Sequence, residues 1–349
     1  MPRATSFLLL LALCACSPSA PPARTEPSGP PAQRAFYFWR TELRLSEAEL
    51  ATLRELRVAR LYLRVFDVVW ESDGVKVVGP LTAPAGQPRP PGVELVPVVF
   101  LREEILRRTP PRELNSLAGW LWQQVELRAR ELALTPGELQ LDCDWTDRSR
   151  DAYFALLERL RALAKVPITA TIRLHQVKYR ERTGVPPVAR GMLMYYNMGR
   201  FSADPEARAI FDSASAARYL SRVSTYPLPL DVALPIWSWT LHLRGERVLD
   251  VLQSVGPEDL AQASMLEVVD EGRYRVRESG FLRGALLRQG DELKVEVTDA
   301  RAAAEAAAQL TPHLAPTATA RTVALFDLSE RNLRRHDPKS LDKLFDRVR

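Results

Sequence analysis

The chain has 349 residues, 46% of them hydrophobic, which is enough for one large core once a short leader is set aside. Its formal charge of +5 comes from 48 Lys and Arg against 43 Asp and Glu, with arginine outnumbering lysine 42 to 6. The arginines are dispersed rather than interleaved with aromatics on one element, which argues against a nucleic-acid partner, and two of the three cysteines fall in the first sixteen residues, which excludes a disulfide-built scaffold.

At the N-terminus, Arg3 precedes an apolar run from Phe7 to Leu13. A bilayer span needs about 20 apolar residues, so this run suits a signal-peptide core instead. Leu13-Cys14-Ala15-Cys16 resembles the bacterial lipobox, and Cys16 is the expected lipidation site because Ala15 is the small residue before it. Residues 1–16 therefore read as a lipoprotein signal and 17–33, rich in Pro, Ala and Ser, as a tether without a foldable apolar pattern. A chain of this kind is expected in the bacterial cell envelope, lipid-anchored, with the outer membrane as the site.

Beyond residue 33, apolar and alternating runs of strand length recur between helical ones. Strands are predicted at 34–40, 60–66, 94–101, 138–145, 168–175, 191–197, 231–239 and 322–327. Helices are predicted at 46–56, 112–133, 148–164, 214–222 and 301–310, the first with Ser46 and Glu49 spaced as a capping box. A short hairpin is expected at Asp73-Gly74. Eight strands separated by helices point to an α/β fold, a (β/α)₈ TIM barrel occupying 34–349. A doubly wound sheet is the alternative, but no glycine-rich phosphate loop follows any strand. Between the seventh strand and its helix, about 245–298 reads as a small α+β insertion, with strands at 266–269, 273–277 and 292–297.

The fourth strand is the most informative. Strand alternation puts Asp142, Asp144 and Thr146 on one face and Leu141, Cys143 and Trp145 on the other, facing the amphipathic helix that follows. Barrel active sites lie at C-terminal strand ends. Those ends carry the candidate catalytic acids Asp142 and Asp144. Around them stand Trp39, Asp67, Glu103, Arg173 and His175 as candidate substrate contacts. Tyr196, Asn197, Trp237 and Trp239 complete the set, with Asp327 at the end of the eighth strand. Carboxylates beside flat aromatic faces suit a sugar ring. Arg173 on an inward face needs a carboxylate partner, Asp142 or Asp144, with Arg64 as the other candidate cation. A divalent metal on His175, Asp67, Asp142 and Asp144 lacks any HExxH or paired Cys/His spacing, so no metal and no cofactor is expected.

Leu141-Asp142-Cys143-Asp144-Trp145 resembles the fourth-strand signature of family-18 glycoside hydrolases, the chitinase family, which runs Asp-Gly-x-Asp-x-Asp-x-Glu. Met194-Tyr195-Tyr196-Asn197 resembles that family's sixth-strand Met-x-Tyr-Asp/Asn. The resemblance implies that Asp142 and Asp144 match the last two aspartates of the signature, and Tyr196 and Asn197 the sixth-strand pair. Leu139 and Gln140 replace the first Asp and the Gly, and Thr146 stands where the catalytic Glu would be. A threonine hydroxyl cannot serve as a carboxylic general acid. Across the whole chain, phrases such as Asp142-Cys143-Asp144-Trp145-Thr146 and Met192-Leu193-Met194-Tyr195-Tyr196-Asn197-Met198-Gly199 resemble bacterial lipoproteins of domain-of-unknown-function family 3142. Three functions are compatible with these residues. One is an envelope lipoprotein that binds a glycan without cleaving it. A second is a glycoside hydrolase or lyase with a rearranged acid, Asp144 or Glu103. The third is a structural or assembly lipoprotein. Membrane contact is expected through the lipidated N-terminus.

Overall fold

A computed structural model describes residues 30–72 and 74–348. The expected leader at 1–16 with Cys16, residues 17–29 of the expected tether and Asp73 of the expected hairpin lie outside the described residues.

Eight parallel strands close into a barrel: β1 (Gln33–Phe38), β2 (Arg60–Glu71), β3 (Glu94–Leu101), β4 (Leu139–Asp142), β5 (Ile168–Arg173), β6 (Gly191–Met194), β7 (Leu230–Pro235) and β8 (Thr322–Phe326). Each pairs with its sequence neighbours, and β1 pairs with both β2 and β8, which closes the ring. Alternation divides the side chains into two cores. Phe36, Phe38, Leu61, Leu63, Leu139, Leu141, Val232 and Leu325 face the helices. Ala35, Tyr37, Tyr62, Val96, Val98, Met192, Met194, Ala233 and Ala324 fill the interior. The helix Arg150–Leu163 buries Tyr153, Leu156, Leu157 and Leu160 against that outer face. Trp145 stacks on Tyr153 at 5.1 Å and gives its indole N–H to Thr183 O at 2.9 Å. A side chain of this kind, fully removed from water, contributes about 1.5–3 kcal/mol.

One β/α unit departs from the repeat. Among the described residues no helix joins β2 to β3; Gly74–Val78 instead runs back antiparallel along an extended β2. Within β2 the register shifts between Arg64 and Phe66, so Val65 and Phe66 both pack outward. This bulge brings Asp67 inward, three residues after Arg64, where their side chains pair at 2.5 Å.

After Pro235 the chain enters a five-stranded antiparallel sheet in the order Arg247–Leu252, Ser238–Arg244, Glu292–Val297, Arg273–Val276, Leu266–Asp270, with a two-stranded ribbon, Gly280–Leu282 and Ala285–Leu287, beside it. The inserted sheet therefore starts at Ser238, ahead of the expected boundary near 245, and β7 stops at Pro235 instead of running on to 239. The Ile236 N–H still reaches the Phe326 carbonyl at 2.9 Å before the chain leaves the barrel. The insertion is clamped to the loop after β6. Buried Lys294 gives its ammonium to the carbonyls of Asp204 and Ala207 at 2.7 and 2.6 Å, and Glu296 accepts the Ala209 N–H at 2.8 Å and the Trp239 indole N–H at 3.2 Å.

Candidate functional site

The interior is polar at its base and becomes aromatic toward the C-terminal mouth. At the base, Glu138 accepts hydrogen bonds from Thr169 at 2.6 Å and Arg60 at 2.9 Å, while Arg190 pairs with Asp231 at 2.6 Å. One layer up, Tyr37 donates to Gln140 Oε1 at 2.5 Å and stacks on Tyr62 at 5.0 Å.

At the mouth lies a cleft of about 630 Å³. Asp142, 3% exposed, accepts the Thr171 hydroxyl at 2.7 Å, and Arg173 Nη2 stands 3.8 Å away. Burial pushes the Asp142 carboxyl above the ordinary aspartate value, against the pull of the Arg173 charge. Two residues on, Asp144 is exposed and takes Arg173 through both oxygens, Nε on Oδ1 and Nη2 on Oδ2 at 3.5 Å. Burial lowers the affinity of Arg173 for its proton, but the charges of Asp144 and Asp142 more than offset that, and the guanidinium stays charged. One cation thus holds both fourth-strand acids, one inside the barrel and one in the cleft.

The floor of the cleft is aromatic. Tyr196 meets Trp237 edge-on at 4.7 Å, and Phe326 lies 5.5 Å from Tyr196, 5.1 Å from Trp237 and 5.3 Å from Trp39. Trp237 and Trp239 are 9% and 5% exposed. They line the opening without closing it, and half-exposed Phe201 extends the aromatic surface beyond Trp239 at 5.2 Å. Asn197 turns the chain out of β6 at φ 54°, a left-handed conformation that asparagine tolerates better than most residues. Gly199 follows, where an added Cβ would stand 2.0 Å from the carbonyl oxygen of Arg208, so the Asn197-Met198-Gly199 phrase is tied to a close backbone approach.

The structure brings together Trp39, Asp142, Asp144, Arg173, Tyr196, Asn197, Trp237 and Trp239, with Asp327, around this cleft. Three expected substrate contacts do not line it. Asp67 is turned inward by the bulge in β2 but is taken up by Arg64 and does not line the cleft. His175 is exposed in the first turn of the helix Leu174–Lys178, because β5 ends at Arg173 and the side-chain period changes there. Glu103 opens the helix Glu103–Arg108 and accepts from Arg107 at 2.5 Å and from the Thr146 hydroxyl at 3.0 Å. Burial pushes the Glu103 carboxyl up, but hydrogen bonds from Arg107, Ser149 and Thr146 outweigh it and hold the group below the ordinary glutamate value. Glu103 is therefore an ionised acceptor, bound to the Thr146 hydroxyl and Arg107 and set outside the cleft. Arg64 as a partner of the fourth-strand acids is corrected as well, since Asp67 occupies it.

Sequence reasoning missed Phe100, which the inward alternation of β3 could have supplied. It also missed Arg40, Arg283, Arg331 and Asn332, which lie on loops and on the insertion and carry no periodic signal. Asp327 is the acid with the most unusual setting. Burial pushes its carboxyl up to about 6 against the charge of Arg40, while Asn332 Nδ2 donates to its Oδ1. Among the described residues no group of three or more His, Cys, Asp or Glu is placed to hold a metal ion. Nor is any described helix long and apolar enough to cross a membrane.

Among solved structures, the chain is similar to the spore cortex-lytic enzyme SleL of Bacillus cereus. The TM-score is 0.52 at 12% identity, over 91% of this chain and 74% of that one. SleL of Bacillus megaterium QM B1551 gives a TM-score of 0.50 at 13% identity over the same shares. A Group IV chitinase of Ostrinia furnacalis gives 0.48 at 11% identity over 90% and 99%. The likeness to the SleL enzymes is one of fold, a closed parallel barrel covering nearly the whole chain. No family model and no curated protein matches the sequence.

Proposed function

We propose that this chain is a glycan-binding lipoprotein of the bacterial cell envelope, anchored through lipid on Cys16, whose barrel holds a sugar without cleaving it. The carrying observation is the cleft itself. Asp142 and Asp144 stand above a floor of Tyr196, Trp237, Phe326 and Trp39; on the sequence resemblance to the family-18 signature, Thr146 falls where that signature has its Glu. Flat apolar faces cover the faces of a pyranose, and Asp144 and Asn197, both exposed in the cleft, accept or donate hydrogen bonds to its hydroxyl or N-acetyl groups. No carboxylic acid is available at position 146, and the nearest one, Glu103, is ionised and committed to Arg107 and Thr146. The motif phrases and the lipobox together support membership in domain-of-unknown-function family 3142 and an outer-membrane location.

A hydrolytic function rests on one specific observation, the carboxyl of Asp327 in the same cleft, held near the range of a general acid. Titration of N-acetylated oligosaccharides into the full-length protein, with product release followed in parallel, separates the two. The binding function predicts a saturable heat without new reducing ends, lost in Asp144→Ala and retained in Cys143→Ala, whose side chain faces the helices. Release of product that disappears in Asp327→Asn would replace it with hydrolysis. Silence of the wild type toward every glycan, with Asp144→Ala equally silent, would leave a structural role.

A further inference from the structure

In an eight-stranded ring β4 and β8 stand on opposite sides, and the cleft wall on the β8 side is rich in arginine. Arg331, in the short helix Glu330–Leu333 after β8, and Arg283, in the turn of the inserted ribbon, share one carboxylate. Arg283 Nη2 is 2.7 Å from Asp259 Oδ1 and Arg331 Nη2 is 3.3 Å from Asp259 Oδ2. Arg335, behind them, takes Glu258 at 2.8 Å. On the loop leaving β1, Arg40 gives Nη2 to both oxygens of Glu49, and its Nε is buried with no hydrogen-bond partner. Four guanidinium groups therefore face three carboxylates; Glu330 is matched by Arg334 at 2.6 Å, burial holds the His336 imidazole below its ordinary value, and Asp327 is the remaining carboxyl of this wall. Arg283 is held at φ 49°, in a two-residue hairpin turn where Asn, Asp or Gly is the ordinary occupant. An arginine kept in that conformation is there for its side chain, which points into the cleft beside Arg331.

We propose that this wall seats an anionic substituent of the glycan, a sugar carboxylate or sulfate, at Arg283 and Arg331, while the ring lies on the aromatic floor toward Asp144. The proposal rests on the glycan-binding function and narrows it to acidic glycans. Arg283 spends Nε and Nη2 on Asp259, and Arg331 spends Nη2 on Asp259 and Nη1 on the Ser254 carbonyl at 2.6 Å, so Arg283 Nη1 and Arg331 Nε are the nitrogens left to donate to the two oxygens of a carboxylate or sulfate. The titration of Asp327 adds a signature. Above about 6 its carboxylate restores the charge balance of the wall; as pH falls through that value it takes up a proton and the wall becomes net positive. On the opposite wall Asp142 and Asp144 share Arg173, and burial raises the Asp142 carboxyl as well, so the Asp327→Asn variant is what separates the two acids.

Calorimetry on the full-length protein in detergent tests this with three probes: an oligosaccharide alternating N-acetylglucosamine and glucuronic acid, its carboxyl-reduced neutral counterpart, and that neutral form sulfated. At pH 5 the charged probes bind about tenfold tighter than the neutral one, and the preference shrinks at pH 8 and at high salt. Tighter binding of the carboxylated or of the sulfated probe assigns the group. Arg331→Gln lowers the preference several-fold while leaving Arg283 paired with Asp259, and adding Arg283→Gln abolishes it. Asp327→Asn keeps the preference at pH 8. Equal affinity for charged and neutral probes overturns the proposal and leaves glycan binding standing. No binding of any probe by the wild type overturns both.

Discussion

Arg173→Ala removes the cation that faces both acids of the fourth strand. The two halves of that contact differ in weight. The Asp144 carboxylate is 53% exposed, so water screens its pairing and its loss costs within about 1 kcal/mol. Asp142 is 3% exposed and keeps only the Thr171 hydroxyl once Arg173 is gone. Breaking a buried pair costs about 3–5 kcal/mol, and a separation of 3.8 Å with an open cleft nearby moves this case to the lower side. A loss of about 2–3 kcal/mol at pH 7.5 corresponds to roughly 3–5 °C in Tm for a domain of this size. The loss depends on pH in a defined direction. The folded-state pKa of Asp142 lies above its ordinary value of 3.8, so its burial is free of charge cost below that value and becomes costly as pH rises through the folded pKa. Removing Arg173 pushes the folded pKa further up, which widens the window in which the variant suffers. The measurement is thermal unfolding of wild type, Arg173→Ala and Arg173→Lys at pH 4.5 and pH 7.5. The alanine variant should lose most at pH 7.5 and little at pH 4.5, with lysine restoring much of the difference. A Tm shift below about 2 °C, equal at both pH values, would refute a buried acid held by this arginine.

Two further expectations address position 146 and the anchor. In Thr146→Glu the new carboxyl would stand against Glu103, which already lies 3.0 Å from the Thr146 hydroxyl; two carboxylates at that distance share a proton, so one of them becomes an acid near neutral pH. Trace hydrolysis of N-acetylated oligosaccharides should appear and should vanish again with Glu103→Gln, and a variant that folds and binds but releases no product would count against the family-18 placement of Thr146. Cys16→Ala should shift the protein from the detergent phase to the aqueous phase or leave its leader uncleaved, and unchanged partitioning would remove the lipid anchor.

Much of the framework was readable from periodicity. The eight strands, the capping box of Ser46 and Glu49, and the two faces of the fourth strand follow from local rules, because burial on one side of a strand or helix imposes a period that survives without knowledge of partners. The strand ends were less legible. The alternation of β5 runs through His175 in sequence, yet the chain turns helical at Leu174, since backbone conformation at a strand end is set by the neighbouring loops rather than by side-chain pattern.

The sequence by itself determined a parallel barrel and the pairing of Asp142 with Asp144 on the inward side of one strand. It also placed Thr146 two residues after Asp144 on that strand. Tertiary structure alone decided which charges meet. The bulge at Val65 gave Asp67 to Arg64, and Thr146 was left to Glu103. Arginines from three separate loops came to the far wall of the cleft. Period and propensity are properties of neighbours along the chain, whereas these pairings depend on strand register, as for Arg64 and Asp67, or on distances between residues tens of positions apart, as for Thr146 and Glu103, and both are fixed only when the barrel closes.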